Sequence, residues 1–161
     1  MTRTLVLAAA LGGGTVAGCG YTVGPLLPDG ARSVALAFAE NLTDRRDLEW
    51  TLTEALGREL QARGFTLVLA GDADAVCHVR LRDARERATA EDTRDAVVQG
   101  GLTLEADVVL RDRRGRTVVE RRGLRETGTY LVAAGQDEGT AADRAVRALA
   151  RRIAEALVPG F

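Results

Sequence analysis

The sequence predicts an α+β fold in which two amphipathic helices pack on one face of a mainly antiparallel or mixed sheet of four to five strands. Two segments carry apolar residues at helical spacing, and several others alternate apolar with polar residues, which is the pattern of strands. Strands of that kind form a sheet with one packed and one solvated face, and the two helices are the available cover for the packed face.

Residues 1–18 have the layout of a secretory signal peptide, with Arg3, a short apolar run and then small residues. The apolar run is too short to span a bilayer, which takes about 20 residues. It ends in Val-Ala-Gly followed by Cys19, which resembles the lipobox of bacterial lipoproteins. That resemblance implies cleavage before Cys19, a diacylglycerol on its thiol and an acyl chain such as palmitate on its amine. The alternative is a cytosolic protein with an apolar N-terminus.

The mature chain divides into a tether and one domain. Residues 19–32 contain Gly24, Pro25, Pro28 and Gly30, which favour turns and extended chain, so they predict a lipidated tether. Residues 33–161 suit a single domain with one core, because the composition is 46% hydrophobic and 28% charged.

The domain begins with a strand and a helix. Residues 33–39 alternate larger apolar residues with small ones, so both faces are apolar and the strand belongs inside a sheet. From about residue 44 to residue 63 the apolar spacing is helical, and Gly64 ends the helix. Thr43 or Asp44 is placed to cap the helix N-terminus. Trp50 lies off the apolar stripe, which predicts that it covers a flank of the core or meets a partner.

Two strands follow the first helix. Residues 65–70 form a short apolar strand, and residues 73–87 form a longer one whose packed face is apolar. Residues 85–95 are strongly charged and predict a solvent-exposed hairpin end or loop. The packed face of the longer strand carries Ala75, Cys77, Val79 and Leu81, and its opposite face carries Val76, His78, Arg80 and Arg82.

A long hairpin and a second helix complete the chain. Residues 97–111 alternate again, Gly115 marks a turn, and the partner strand runs from residue 117 to about residue 130. The second helix spans residues 137–159 and ends at Pro159-Gly160. Its apolar stripe is Ala142, Val146, Leu149, Ile153 and Leu157.

The residue inventory argues against an enzyme. His78 is the sole histidine and Ser33 the sole serine, and nothing in the pattern brings them together as a catalytic pair. One histidine and Cys77 cannot build a usual zinc site, so we expect no metal and no cofactor beyond the lipid on Cys19. The net charge of −1 gives no basic field for nucleic acid, although all 22 basic residues are arginine.

Arginine-rich strands are the main candidate for ligand binding. One strand carries four arginines, and four more mark the hairpin turn. Acidic residues are interleaved with them, so a solvated and charge-paired surface is one interpretation. The other is a surface that meets anionic lipid head groups or an acidic partner. The residues concerned are Arg80, Arg82, Arg85 and Arg87 on the strand and Arg111, Arg113, Arg114 and Arg116 at the turn.

Several motifs occur in a characteristic order along the mature chain. They are Cys-Gly-Tyr at residues 19–21, the strand and Glu-Asn-Leu-Thr turn at 33–43, Leu-Thr-Glu-Ala-Leu at 52–56, Ala-Asp-Ala at 73–75, Asp-Arg-Arg-Gly at 112–115 and an Ala-rich C-terminal helix. This order resembles the family of lipopolysaccharide-assembly lipoproteins, the LptE family. The resemblance covers nearly all of the mature chain.

The resemblance implies a two-layer α+β fold and a role in delivering lipopolysaccharide to the outer leaflet. Members of the family sit in the lumen of the outer-membrane barrel LptD as a plug and assembly partner, and they can bind the lipid. Basic residues near a hairpin tip bind lipid in characterised members, which makes Arg111, Arg113, Arg114 and Arg116 the candidate head-group contacts. The expected location is the periplasmic side of the outer membrane. By resemblance to other bacterial lipoproteins, Gly20 instead of Asp directly after Cys19 also favours the outer membrane over the inner one.

Two other readings stay open. The opening strand, turn and helix also resemble periplasmic lipoproteins that bind and activate envelope enzymes such as peptidoglycan synthases, and the N-terminal domain of TolB of the Tol complex. A small-molecule-binding lipoprotein is the third, although no apolar pocket with convergent polar groups is visible in the sequence.

Overall fold

The computed structural model describes residues 32–91 and 97–158. The predicted signal peptide, Cys19, the tether as far as residue 31 and the helix stop at Pro159 lie outside these residues. The elements are β1 (Ser33–Leu36), β2 (Glu40–Asn41), α1 (Leu48–Ala62), β3 (Thr66–Leu67), β4 (Ala75–Glu91), β5 (Val97–Asp112), β6 (Thr117–Leu131) and α2 (Glu138–Leu157), with a 3₁₀ turn at Val132–Ala134 before α2.

All the strands form one mixed sheet. Its order is β3-β1-β4-β5-β6, and β2 pairs separately with β4. β1 is parallel to both β3 and β4, whereas β4, β5 and β6 form an antiparallel meander. The predicted fold class is therefore confirmed. The sheet has six strands rather than four to five, because β2 and β3 contribute two residues each.

Both helices cover the same face of the sheet. Leu52 and Leu56 of α1 and Leu149 and Ile153 of α2 are fully buried against the alternate residues of β4 and β5 that point toward them. Burial of a leucine side chain contributes about 1.5–3 kcal/mol, so this layer supplies most of the drive to fold. The sheet residues in the core are Ala75, Cys77, Val79 and Leu81 of β4 and Leu102, Leu104, Ala106, Val108 and Leu110 of β5.

Two of the register shifts in the sheet decide which residues lie on its open face. The β4–β5 register slips between Leu81 and Asp83, which inserts one extra residue, Arg82, into β4. Gly123 of β6 has a φ of 65°, and the β5–β6 register shifts between Ala106 and Val108 in the same region. As a result, Asp83, Arg85 and Arg87 lie on the face that the helices leave uncovered, whereas Glu86 lies on the helix side, where it pairs with Arg45.

The molecule has two distinct ends. At one, the first described residue, Arg32, lies beside the loop Leu69–Asp74 and the β5–β6 turn Asp112–Arg116. We call it the entry end. The far end contains the top of the β4–β5 hairpin, the last residues of β6 and the start of α2.

Candidate functional site

The face of the sheet opposite the helices is polar and forms a shallow groove of about 700 Å³. Its residues come from the loop after β1, from β2, and from the odd positions of β5 with their neighbours on β4 and β6. The sequence correctly placed His78 and Arg80 on this face. Its lining includes Phe38, Glu40, His78, Arg80, Asp107 and Glu120.

Arginines on this face are paired with carboxylates along most of its length. Arg80 Nε lies 2.7 Å from Glu40 Oε2, and Arg125 Nε lies 2.7 Å from Glu105 Oε2. Each such exposed pair contributes about 0–1 kcal/mol, so the pairs balance charge more than they stabilise the fold. Three more pairs complete the pattern: Arg82–Asp107 at 3.0 Å, Arg85–Asp83 at 2.6 Å and Arg122–Glu120 at 2.6 Å.

Asp107 stabilises the irregular part of β6 at Gly123, where β6 has one residue more than β5 and so forms a bulge. Its Oδ1 accepts the Gly123 N–H at 2.9 Å and its Oδ2 accepts from Arg82 at 3.0 Å. Partial burial acts to raise the pKa of Asp107, but these hydrogen bonds and the arginine charges outweigh it, so the pKa is lowered. The Asp107 carboxylate is therefore a structural anion at neutral pH and not a proton donor.

The β5–β6 turn is held by Asp112. Its carboxylate accepts the N–H groups of Arg114 and Arg116 at 2.8 and 2.9 Å, and Arg116 Nε at 2.7 Å. Gly115 has a φ of 77°, which only glycine adopts without strain. Desolvation acts to raise the pKa of Asp112, whereas the hydrogen bonds from Arg116 lower it, and the net shift is downward.

The structure brings the four predicted lipid-contact arginines together at this turn. Within the described chain, two of them are bound to carboxylates and two are not. Arg113 lies 3.0 Å from the Asp74 carboxylate and donates to the Ala73 carbonyl at 2.9 Å. Arg116 is paired with Asp112. Arg111 and Arg114 form no ion pair within residues 32–91 and 97–158, and Arg111 has one long hydrogen bond of 3.5 Å to the Gly115 carbonyl. Two arginines are thus free to meet an external anion.

Asp74 joins Arg32, the first described residue, to the β5–β6 turn, and no sequence pattern indicates this contact. Its Oδ2 accepts the backbone N–H groups of Arg32 and Ser33 at 3.2 and 3.1 Å and the Ser33 hydroxyl at 2.7 Å. The Ser33 hydroxyl bond, followed by the backbone bonds, lowers the pKa of Asp74. The sole serine is therefore a partner in a structural clamp.

The side chains that could take part in catalysis are buried, lie apart from one another or are held in structural hydrogen bonds. Cys77 is fully buried, and burial raises the pKa of its thiol to about 12. His78 is on the open strand face, and Ser33 belongs to the Asp74 clamp. Within the described ranges, no group of three or more His, Cys, Asp and Glu residues could hold a metal ion, and no helix is long and apolar enough to cross a membrane.

Taken together, the layered fold and the charge-paired face define an α+β interaction module. The family model for lipopolysaccharide assembly, LptE, matches residues 31–158, and the chain belongs to that family. The family consists of non-enzymatic assembly lipoproteins of the cell envelope, without a known cofactor. The resemblance in the motif order is thereby confirmed. No curated protein sequence matches the chain.

Solved structures share the fold at low sequence identity. A minor lipoprotein from Acinetobacter baumannii has a TM-score of 0.54 at 19% identity and covers 83% of this chain and 93% of its own. Protein XCC0632 from Xanthomonas campestris has a TM-score of 0.55 at 11% identity, with 81% and 85% covered. Protein CT253 from Chlamydia trachomatis has a TM-score of 0.52 at 12% identity, with 80% and 98% covered.

Proposed function

We propose that this protein is an outer-membrane lipoprotein that acts as a plug and assembly partner of the LptD barrel in lipopolysaccharide transport. The observation that carries the proposal is the match of residues 31–158 to the lipopolysaccharide-assembly family. In this proposal the chain is cleaved after residue 18, lipidated on Cys19, and linked by residues 19–32 to a single domain spanning residues 33–161.

The uncovered face of the sheet suits such a partner. Wide barrels enclose a polar lumen that other chain segments can plug. A plug in that setting needs a polar surface whose charges are already neutralised, because an unpaired charge loses much of its hydration on docking. The Arg80–Glu40 and Arg125–Glu105 pairs provide such a surface.

In this proposal the β5–β6 turn is the part of the domain that contacts lipopolysaccharide. Arginine binds phosphate through two parallel hydrogen bonds, so Arg111 and Arg114 are the better head-group ligands. Arg113 and Arg116 act by holding the turn, because their guanidinium groups already bind Asp74 and Asp112.

The partnership is tested by affinity purification of the full-length tagged protein from detergent-solubilised membranes. We expect a large outer-membrane barrel to co-purify. Recovery of a peptidoglycan synthase or of the Tol complex instead would overturn the proposal in favour of a regulatory lipoprotein.

Charge reversal on the open face sharpens the same experiment. Replacing Arg80→Glu and Arg122→Glu together should lower barrel recovery by at least about tenfold, because unpaired carboxylates at an interface cost several kcal/mol and each 1.4 kcal/mol is about tenfold in affinity. The matched control is Arg151→Glu with Arg152→Glu on the exposed side of α2, which should leave recovery unchanged. Equal losses in both variants would argue against this face as the contact.

A further inference from the structure

The entry end combines an exposed apolar side chain with arginines. Leu69 is 80% exposed, more than Phe38, Trp50 or any other large hydrophobic residue described as exposed. It begins the loop Leu69–Asp74, whose last residues contact Arg113. An exposed leucine at the same end of a molecule as cationic groups suits a surface that lies against a bilayer, where the apolar side chain enters the interface and the cations meet phosphates.

The charges at the entry end are not fully neutralised by ion pairs among its own residues. In the loop and the turn, Asp74 pairs with Arg113, and Asp112 pairs with Arg116. The carboxylate of Asp72 has no arginine partner there, because Arg113 donates only to its backbone carbonyl. Two arginines, Arg111 and Arg114, also have no carboxylate partner among the described residues. The entry end is therefore weakly cationic, and a surface of anionic head groups complements it.

The position of the predicted lipid limits which end can meet the membrane. Twelve residues lie between Cys19 and Arg32, and even a fully extended chain of that length spans only about 43 Å. β5 has 16 residues, so the sheet is about 54 Å long. Because Arg32 is fixed to Asp74 at the entry end, a membrane contacted by the far end alone, with the sheet upright, would lie beyond the reach of this tether.

We infer that, while no lipopolysaccharide occupies the turn, the entry end docks on the phospholipid leaflet that holds the lipid anchor, with Leu69 in the interface and Arg111 and Arg114 on anionic phosphates. The inference rests on the lipidated anchor of the proposed function, but not on a barrel partner or on lipopolysaccharide. Docking of this kind would fix the orientation of the domain, with β4, β5 and α2 rising from the membrane and the far end pointing away.

The test uses the full lipidated protein in vesicles of phosphatidylethanolamine and phosphatidylglycerol that contain no lipopolysaccharide. Gly71→Cys offers a labelling position at the entry end, since its side chain would meet nothing within 4 Å. Ala133→Cys is the matched position at the far end, where the residue is exposed. Cys77 stays unlabelled because it is fully buried. A fluorophore on each is read against lipids that carry a quencher in the head group.

We expect strong quenching at residue 71 and little at residue 133. Arg111→Glu with Arg114→Glu, or Leu69→Ser, should lower the quenching at residue 71 at least about threefold, as should vesicles of phosphatidylcholine alone. Arg46→Glu with Arg147→Glu makes the same charge change at exposed positions outside the entry end and should have no effect.

Three outcomes would overturn the inference. Equal quenching at the two positions would mean that no end is preferred, and quenching unaffected by the arginine and leucine substitutions would mean that the tether alone brings residue 71 close. Quenching that appears only after lipopolysaccharide is added would assign the arginines to that lipid.

Mass spectrometry that finds no lipid on Cys19 would remove the premise. Failed docking with intact barrel recovery would leave the proposed function standing, and the reverse result would leave the docking standing.

Discussion

At the scale of single residues, the close packing of α2 on β6 depends on a glycine. α2 crosses β6 at Gly128, and a Cβ there would lie 2.0 Å from the Ala141 carbonyl oxygen and 2.6 Å from the Ala145 nitrogen. Both alanines are fully buried. Small residues on the helix and no side chain on the strand let the two backbones approach, and neither backbone atom can move aside cheaply.

Replacing Gly128→Ala should therefore lower the free energy of unfolding by about 3 kcal/mol, because α2 must shift to make room. Urea denaturation followed by circular dichroism measures the change. The matched control is Gly71→Ala, where a Cβ meets nothing within 4 Å, and it should change stability by less than about 0.5 kcal/mol. Equal midpoints for the two variants would contradict the packing argument.

At the scale of secondary structure, the far half of the β6 edge is protected. The Leu131 N–H donates to the Gln136 side-chain oxygen at 3.1 Å, and Arg144 donates to the Thr129 carbonyl at 2.5 Å and to the same Gln136 oxygen at 3.1 Å. These backbone groups point away from β5, so a strand from a second copy would otherwise be able to pair with them. Exposed Leu131 and Val132 add apolar surface at the same place.

Removing this protection with Gln136→Ala and Arg144→Ala should promote self-association through β6, with a dimer fraction that rises with concentration. Sedimentation velocity on the purified chain measures it. The control Arg147→Ala removes an arginine from the same helix that reaches only Asp143, at 4.0 Å. A double variant that stays as monomeric as this control would show that the bulge at Gly123 and the edge charges protect the strand by themselves.

The long elements were predictable from sequence because their periodicity is strong. The alternation along β5 correctly predicted its buried residues. The stripe on α2 correctly included its large apolar residues, but it included the partly buried Ala142 and missed the buried alanines Ala141, Ala145, Ala150 and Ala154. The N-terminus of α1 was not predicted correctly. The helix begins at Leu48, after Asp47, which makes no side-chain cap. The predicted cap residue Thr43 lies four residues earlier, where its hydroxyl donates to the Asn41 side-chain oxygen and accepts the Arg45 N–H. Of the two alternatives for residues 85–95, a hairpin end and a loop, the structure shows the end of a hairpin over residues 85–91, because β4 runs on to Glu91 and pairs with β5.

Features that depend on distant partners were not predictable. Period-2 alternation says which face a residue occupies but not which strand lies beside it, so the parallel pairings of β1 with β3 and β4 had no signal. The same holds for Arg113 and Asp74, which are 39 positions apart in the chain and in contact in the fold. The division of the turn arginines into bound and free pairs follows from such contacts.

At the scale of the whole molecule, the two surfaces of the sheet have different uses. One side is sealed by α1 and α2 with leucine and alanine, and the other is a polar face whose arginines and carboxylates neutralise one another. A module of this kind offers binding surface without a catalytic centre among its described residues. Where it is held then decides which partner it can meet, so the predicted anchor belongs to its mechanism.

Cys19→Ala tests that anchor. Loss of the thiol removes the acceptor for diacylglycerol, and without two or more acyl chains a domain of this kind has no stable hold on a bilayer. We expect the variant to leave the membrane fraction or to keep an uncleaved signal of 18 residues, and fractionation with intact-mass spectrometry distinguishes the two. Cys77→Ala is the control, since it removes a buried thiol at a cost of about 1 kcal/mol and should leave the protein on the membrane. A mature Cys19→Ala chain that stays fully membrane-bound would mean that the domain is held by its own surface or by a partner and not by lipid.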